Sequence, residues 1–168
     1  MRIIQTWDDR NYDPAWKRFV RRASRAVIIR NGKVAMVKST VEGYYKFPGG
    51  GVKRGEGRIG ALIREAREEA GLSIIFHSIR EIGMMREIRK SIYGEQIFDQ
   101  RSYYYLAKVK NKILPQKLEP YEQELGFELR FVDAQIAYQS NIELAGGQTD
   151  GFVLREARVL KEIIDGGI

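Results

Sequence analysis

Apolar and polar positions along the chain alternate with two different periods, and the switches between them mark out the elements. Residues 25–30 and 33–38 flank Asn31-Gly32, a pair that closes tight hairpins, so they are predicted as two antiparallel strands. The aromatic stretch 44–46 suits another strand, ended by Pro48 and the glycines behind it. From 57 to 70 the period lengthens. Ile59, Leu62, Ile63, Ala66 and Ala70 recur at helical spacing and make one stripe that can pack on a sheet. Residues 72–89 and 96–110 read as extended, with a turn near Tyr93-Gly94 between them. A loop with Pro115 and Pro120 leads to a strand at 127–132, and 150–164 closes as an amphipathic helix with Phe152, Ala157, Leu160 and Ile164 on its apolar side. Residues 1–20, carrying Trp7, Tyr12 and Trp16, are expected as an N-terminal arm packed on the body. This order predicts an α/β fold in one domain over residues 1–168.

The helix at 57–70 carries more than packing. Glu65, Glu68 and Glu69 stand at i, i+3 and i+4, so their side chains converge on one face. Carboxylates this close repel and raise one another's pKa unless a cation joins them. Taken alone, such a cluster is a solvated acidic face. That reading explains neither the three glycines ahead of the helix nor Arg64, which sits beside Glu65 and one turn before Glu68. Arg64 is placed to orient the carboxylates rather than merely neutralise them. Gly71 suits a left-handed helix cap, and Glu56 can serve as a cap or as an outer metal ligand.

Composition narrows the chemistry. The chain has no cysteine, which excludes disulfides, thiolate nucleophiles and Cys-based zinc sites. Its only histidine, His77, lies in an apolar run and is read as packed or exposed, so carboxylates remain as the catalytic groups. No apolar run reaches membrane-spanning length and no signal-peptide pattern opens the chain, so a cytoplasmic protein with no membrane partner is expected. The net charge is +7 despite the acidic helix, with clusters at 17–25 and 86–90. Such a field favours an anionic substrate such as a phosphate ester. Trp16 and Phe19 among the arginines would also suit nucleic acid, but no nucleic-acid motif accompanies them, and a solvated basic surface is preferred.

The segment from Gly50 to Leu72 places Gly50, Glu56, Arg64, Glu65, Glu68, Glu69 and Gly71 in the pattern G-x5-E-x7-R-E-U-x-E-E-x-G-U, with U aliphatic. This resembles the signature box of the Nudix hydrolases, and only Ala66 is smaller than the usual residue at its position. The resemblance implies an α/β/α sandwich, a mixed β-sheet between helices. It implies hydrolysis, dependent on Mg²⁺ or Mn²⁺, of a nucleoside diphosphate linked to another group. Glu65, Glu68 and Glu69 with the Gly50 carbonyl would be metal ligands, Glu56 an outer one, and Arg64 their orienting partner. The general base would be a box glutamate, with Glu65 and Glu68 in play, or a residue of a later loop. There residues 119–126 offer candidates, and Glu124 is preferred.

Substrate choice rests on elimination. The ADP-ribose branch of the family carries a proline about fifteen residues past the box, and the NADH branch a Ser-Gln-Pro-Trp-like string. Both are absent here. A small-molecule (deoxy)nucleoside triphosphate is then the expected partner, cut to a monophosphate and pyrophosphate in cleaning of the nucleotide pool. A non-catalytic nucleotide sensor and an enzyme acting on RNA 5′ ends are the alternatives. Phe47, Tyr103 and Tyr105 are candidates to stack on a base, since 103–105 must alternate faces, and Arg25 or Lys46 to take a phosphate. Monomer and homodimer are both compatible with the sequence.

Overall fold

The computed structural model of the chain describes residues 1–146 and 151–168. Its elements run β1 (Ile3–Asp8), β2 (Lys17–Val27), β3 (Ile29–Arg30), β4 (Lys33–Ser39), β5 (Tyr45–Lys46), β6 (Gly49–Gly51), α1 (Arg58–Ala70), β7 (Arg80–Lys90), β8 (Gln96–Leu106), α2 (Pro120–Glu124), β9 (Phe127–Val132), α3 (Ala134–Ala145) and α4 (Phe152–Ile164). Five strands form a mixed sheet in the order β1-β7-β8-β2-β6. Its β1–β7 and β2–β8 pairs are parallel, and its β7–β8 and β2–β6 pairs antiparallel. In the second sheet β4 pairs antiparallel with β3, β5 and β9.

Strand alternation divides the interior into two cores. On one side Leu62, Ala66 and Ala70 of α1 pack with Ala26, Val37, Tyr103 and Tyr105. On the other, Ala137 of α3 and Val159 and Leu160 of α4 pack with Met36, Phe47 and Tyr104. Helices therefore cover both faces, the layered α/β arrangement with a mixed sheet. This corrects the expectation for the three tyrosines. All of 103–105 are buried, because α1 roofs one face of β8 and α4 the other.

Two side chains tie the layers together at the site. Asn141 of α3 clamps Tyr45 of β5, its Oδ1 accepting from the backbone N–H and its Nδ2 donating to the backbone carbonyl, both at 2.8 Å. The carboxylate of Glu156 in α4 accepts from the Phe47 N–H at 2.8 Å and from the Tyr104 hydroxyl at 3.1 Å. Helix α1 ends as expected at Gly71, in the left-handed conformation with φ 66°. A Cβ there would also stand 1.9 Å from the Leu114 carbonyl oxygen, so both backbone and packing demand glycine.

Several elements go beyond what the sequence predicts. Within residues 1–20, Ile3–Asp8 form β1 and the last four residues open β2, and β8 pairs with every residue of β2 from Lys17 to Val27. The glycine segment is itself a strand, paired with Ala23, Ser24 and Arg25. Helix α2 stands within the expected loop, and α3 in a stretch for which the sequence predicts no element. Asp133 caps α3 by accepting from the Gln135 N–H, yet Ile136, Ile142 and Leu144 are exposed, so no apolar stripe announces that helix. The closing helix is described from Phe152, and Asp150, its expected start, lies outside the described residues.

Candidate active site

Arg64 is the hub of the acidic helix. Its Nε and Nη2 grip the two oxygens of Glu56 at 2.8 Å each. Its Nη1 donates to Glu65 at 2.6 Å and to Glu68 at 3.1 Å, and Nη2 also donates to the Gly51 carbonyl at 3.1 Å. One planar guanidinium thus fixes the loop before the helix and two carboxylates on it. The Arg64 hydrogen bonds hold the Glu56 carboxyl down to about 2. Glu56 also accepts from the Lys53 N–H at 3.0 Å, and so works as an anchor for Arg64; it does not line the cavity that Glu65 and Glu69 share.

Glu65 lies flush against the backbone of Gly50: a Cβ on that residue would come within 2.5 Å of the Glu65 carboxyl carbon. Burial pushes the Glu65 carboxyl up, and the charges of Glu69 and Glu68 add to this while Arg64 opposes it. Glu69, only 2 % exposed, accepts from the Gly49 N–H at 2.9 Å and from Lys46 Nζ in a short ion pair. Glu68 is the most exposed of the three, at 38 %, and its carboxylate accepts from Arg64 at 3.1 Å.

Facing them, on α2, is Glu122, which lies within the candidate stretch 119–126 but is not the residue preferred there. Glu119 and Glu122 form a reciprocal capping box with Pro120 opening the helix. The spacing E-P-x-E announces that box, which would have identified the helix. It turns Glu122 inward, 4 % exposed, into a cavity of about 290 Å³ shared with Glu65, Glu69, Lys46 and residues 49–51. Burial raises the Glu122 carboxyl above its ordinary value, and the charge of Glu69 adds to the rise. Glu124, the expected base, is exposed at the far end of the same helix and lines none of this cavity, because half a helical turn or more separates it from Glu122.

The candidate substrate residues divide. Arg25 and Lys46 both line the cavity, but each already has partners: Arg25 Nη1 donates to the Gly49 carbonyl at 2.6 Å, and Lys46 holds Glu69. Phe47 is 0 % exposed and packs edge-on against Tyr104, with ring centroids 5.7 Å apart, so it is core and cannot stack on a ligand. Tyr105 is likewise core beneath α1. Tyr103 is buried too, its ring lying under the Arg58 guanidinium at 4.6 Å on the rim of a separate groove beside the glycine loop. His77 is exposed.

Within this layered fold one arginine registers an acidic helix against a glycine strand. The NUDIX domain matches residues 20–144, and the chain belongs to the Nudix family, hydrolases that act on phosphoric anhydrides. Among solved structures it resembles a Nudix hydrolase from Nitrosomonas europaea, with a TM-score of 0.58 and 18% identity over 89% of this chain and 90% of that one. It also resembles a protein assigned to the Nudix hydrolase family from Chromobacterium violaceum, with a TM-score of 0.52 and 24% identity over 88% of this chain and 79% of that one. These likenesses bear on the fold. No curated protein matches the chain.

The family uses divalent cations, and the residues can be tested for that fit. The carboxylates of Glu65, Glu69 and Glu122 share one cavity with the Gly50 backbone, an all-oxygen donor set of the kind a hard cation takes. Among the described residues no three or more histidine, cysteine, aspartate or glutamate side chains stand together as a group that could hold a metal ion in this arrangement. Arg64 and Lys46 stand as counter-ions to the carboxylates in this arrangement. The donor chemistry fits Mg²⁺ or Mn²⁺, provided that the cation competes with Lys46 and Arg64 for the carboxylate oxygens. No helix among the described residues is long and apolar enough to cross a membrane.

Proposed function

We propose that the chain is a magnesium-dependent pyrophosphohydrolase that cuts a (deoxy)nucleoside triphosphate to a monophosphate and pyrophosphate. The observation that carries this is the meeting of Glu65 and Glu69 from α1 with Glu122 from α2 around the bare Gly50 backbone. Glu65 and Glu69 with the Gly50 carbonyl would hold the cation from the cavity they share, and Glu68, which Arg64 holds beside Glu65 though it does not line that cavity, would complete the set, with Mn²⁺ able to substitute. When bound, the cation offsets negative charge on phosphate oxygens and acidifies a coordinated water.

The chain's own groups have separable tasks. Arg64 holds Glu65 and Glu68 in register, and Glu56 holds Arg64. Glu122 serves as general base in place of Glu124. It takes a proton from the attacking water as the new phosphorus–oxygen bond forms, and the bridging oxygen leaves as a phosphate anion. Its burial favours that role, since a carboxylate with raised proton affinity is the better base near neutral pH. A purified-protein screen with Mg²⁺ against a nucleotide panel, reading phosphate and pyrophosphate, tests the substrate. Clear preference for ADP-ribose, a dinucleoside polyphosphate or capped RNA would overturn the triphosphate assignment. Reaction in ¹⁸O-water then identifies the phosphorus attacked.

A further inference from the structure

A second cavity, of about 450 Å³, adjoins the carboxylate cavity and shares Arg21, Arg25, Lys46 and Tyr121 with it. Its floor is the α4-facing side of the mixed sheet. Arg21 and Arg25 stand four residues apart on β2, so they project on the same face, with Gln100 and Tyr104 beside them on β8. The opening turn of α4 closes it through Phe152 and Arg155.

The charges here do not cancel. Arg155 is committed to Glu156 at 3.3 Å and Glu87 at 3.6 Å, Arg89 to Glu87 at 2.8 Å, and Lys46 to Glu69. Arg21 and Arg25 have only neutral acceptors among the described residues. Arg21 donates to Gln100 Oε1 at 2.9 Å, and Arg25 to the carbonyls of Phe47 and Gly49. Arg25 is 6 % exposed, and its Nε is buried without a hydrogen-bond acceptor among the described residues. A buried donor of a cationic side chain left without an acceptor is a rare and costly arrangement that calls for a partner. Arg21 stands exposed at the cavity mouth with Arg25 and Arg155 as cationic neighbours. The positive end of the α4 dipole points to the same place.

We propose that this cavity is an anion subsite, built on Arg21 and Arg25, for a phosphate of the substrate that lies outside the hydrolysed anhydride. The proposal rests on the hydrolytic reading above and narrows it. The substrate carries at least one phosphate beyond the pair that is cleaved, which a nucleoside triphosphate has and a simple nucleoside-diphosphate sugar lacks.

Arg21 is the residue to test, because Arg25 also holds the glycine strand and its loss could unfold the site. Calorimetry with inorganic pyrophosphate in EDTA should show saturable binding to the full chain. Arg21→Met should weaken it at least tenfold, whereas Arg22→Met, on the opposite face of the same strand, should leave it unchanged. In turnover, Arg21→Met should raise KM for a nucleoside triphosphate with little change in kcat, and leave KM for the matching diphosphate nearly unaltered. Absence of metal-free binding, or equal weakening by both variants, would overturn the subsite. If pyrophosphate binds through Arg21 while no nucleotide is hydrolysed, the hydrolytic reading fails and the subsite stands. If nucleotides are hydrolysed without Arg21-dependent binding, the subsite alone fails.

Discussion

Arg64 and Glu56 meet as a two-pronged fork, guanidinium plane to carboxylate, with both N···O distances at 2.8 Å. The pair joins the loop that follows the glycine strand to the helix that bears the acidic cluster. Because the same guanidinium also reaches Glu65 and Glu68, its geometry sets theirs. Lysine keeps the charge but cannot serve the five oxygens that this guanidinium reaches. We therefore expect Arg64→Lys to fold normally and to lose about 10- to 100-fold in kcat, the usual cost of disturbing the groups that orient metal ligands. Unchanged turnover in Arg64→Lys would show that charge alone suffices.

Glu122 and Glu124 give a sharper contrast, since one helix carries both and only Glu122 faces the carboxylate cavity. Glu122→Gln should lower kcat by about 100-fold or more, within the range expected for loss of a general base. Glu124→Gln should stay within about twofold of the parent, as for an exposed residue away from the site. Glu122 also caps α2 through the Glu119 N–H, which a glutamine oxygen can still accept, so melting temperatures of both variants should match the parent. A slow Glu124→Gln with a normal Glu122→Gln would reverse the assignment.

The contrast also shows what could be read from the chain alone. The box helix, its Gly71 cap and the Asn31-Gly32 hairpin were legible because spacing at a fixed period, and glycine where φ is positive, are local signals. The 17–22 half of β2 was hidden because it is mostly exposed, with Phe19 and Val20 adjacent among four basic residues rather than alternating with them, and its pairing with β8 fixes it as a strand. Phe47 and Tyr105 looked like ligand platforms because nothing local says that a helix will cover both faces of their sheet. Within the candidate stretch 119–126, Glu124 was preferred to Glu122 for a different reason. The role of Glu122 depends on which way a single turn of helix points, and that is set by the capping box with Glu119.

Metal binding should couple to stability. Glu65, Glu69 and Glu122 crowd one cavity, and a divalent cation that binds there binds only the folded state. At a hundred times its Kd the cation adds about 2.7 kcal/mol, visible as a higher melting temperature. Ca²⁺ should compete through the same oxygens and support little turnover. Differential scanning calorimetry with and without Mg²⁺, on the parent and on Glu69→Gln, measures this. An equal rise in both proteins would place the cation elsewhere.

Asp99 governs acid stability away from the active site. Its side chain is wholly buried in β8, with Arg86 at 2.7 Å, Arg101 at 3.1 Å and Arg18 at 3.2 Å around it. Burial alone would raise its carboxyl, but hydrogen bonds from Arg86 and Arg101 outweigh that and hold it well below its ordinary value of 3.8. A carboxylate depressed in the folded state stabilises fully above its unfolded pKa and loses that contribution as pH falls toward the folded one. The loss should therefore begin below about pH 4 and grow with further acidification. Asp99→Asn keeps the shape but leaves three guanidiniums facing a neutral amide. Because those arginines are each partly exposed, the cost at neutral pH should be about 2 kcal/mol rather than the larger penalty of a sealed ion pair. Urea unfolding of both proteins at pH 7 and pH 3 measures the difference. The gap should narrow at the lower pH, and a gap that stayed constant would mean that Asp99 does not carry the charge that holds these arginines.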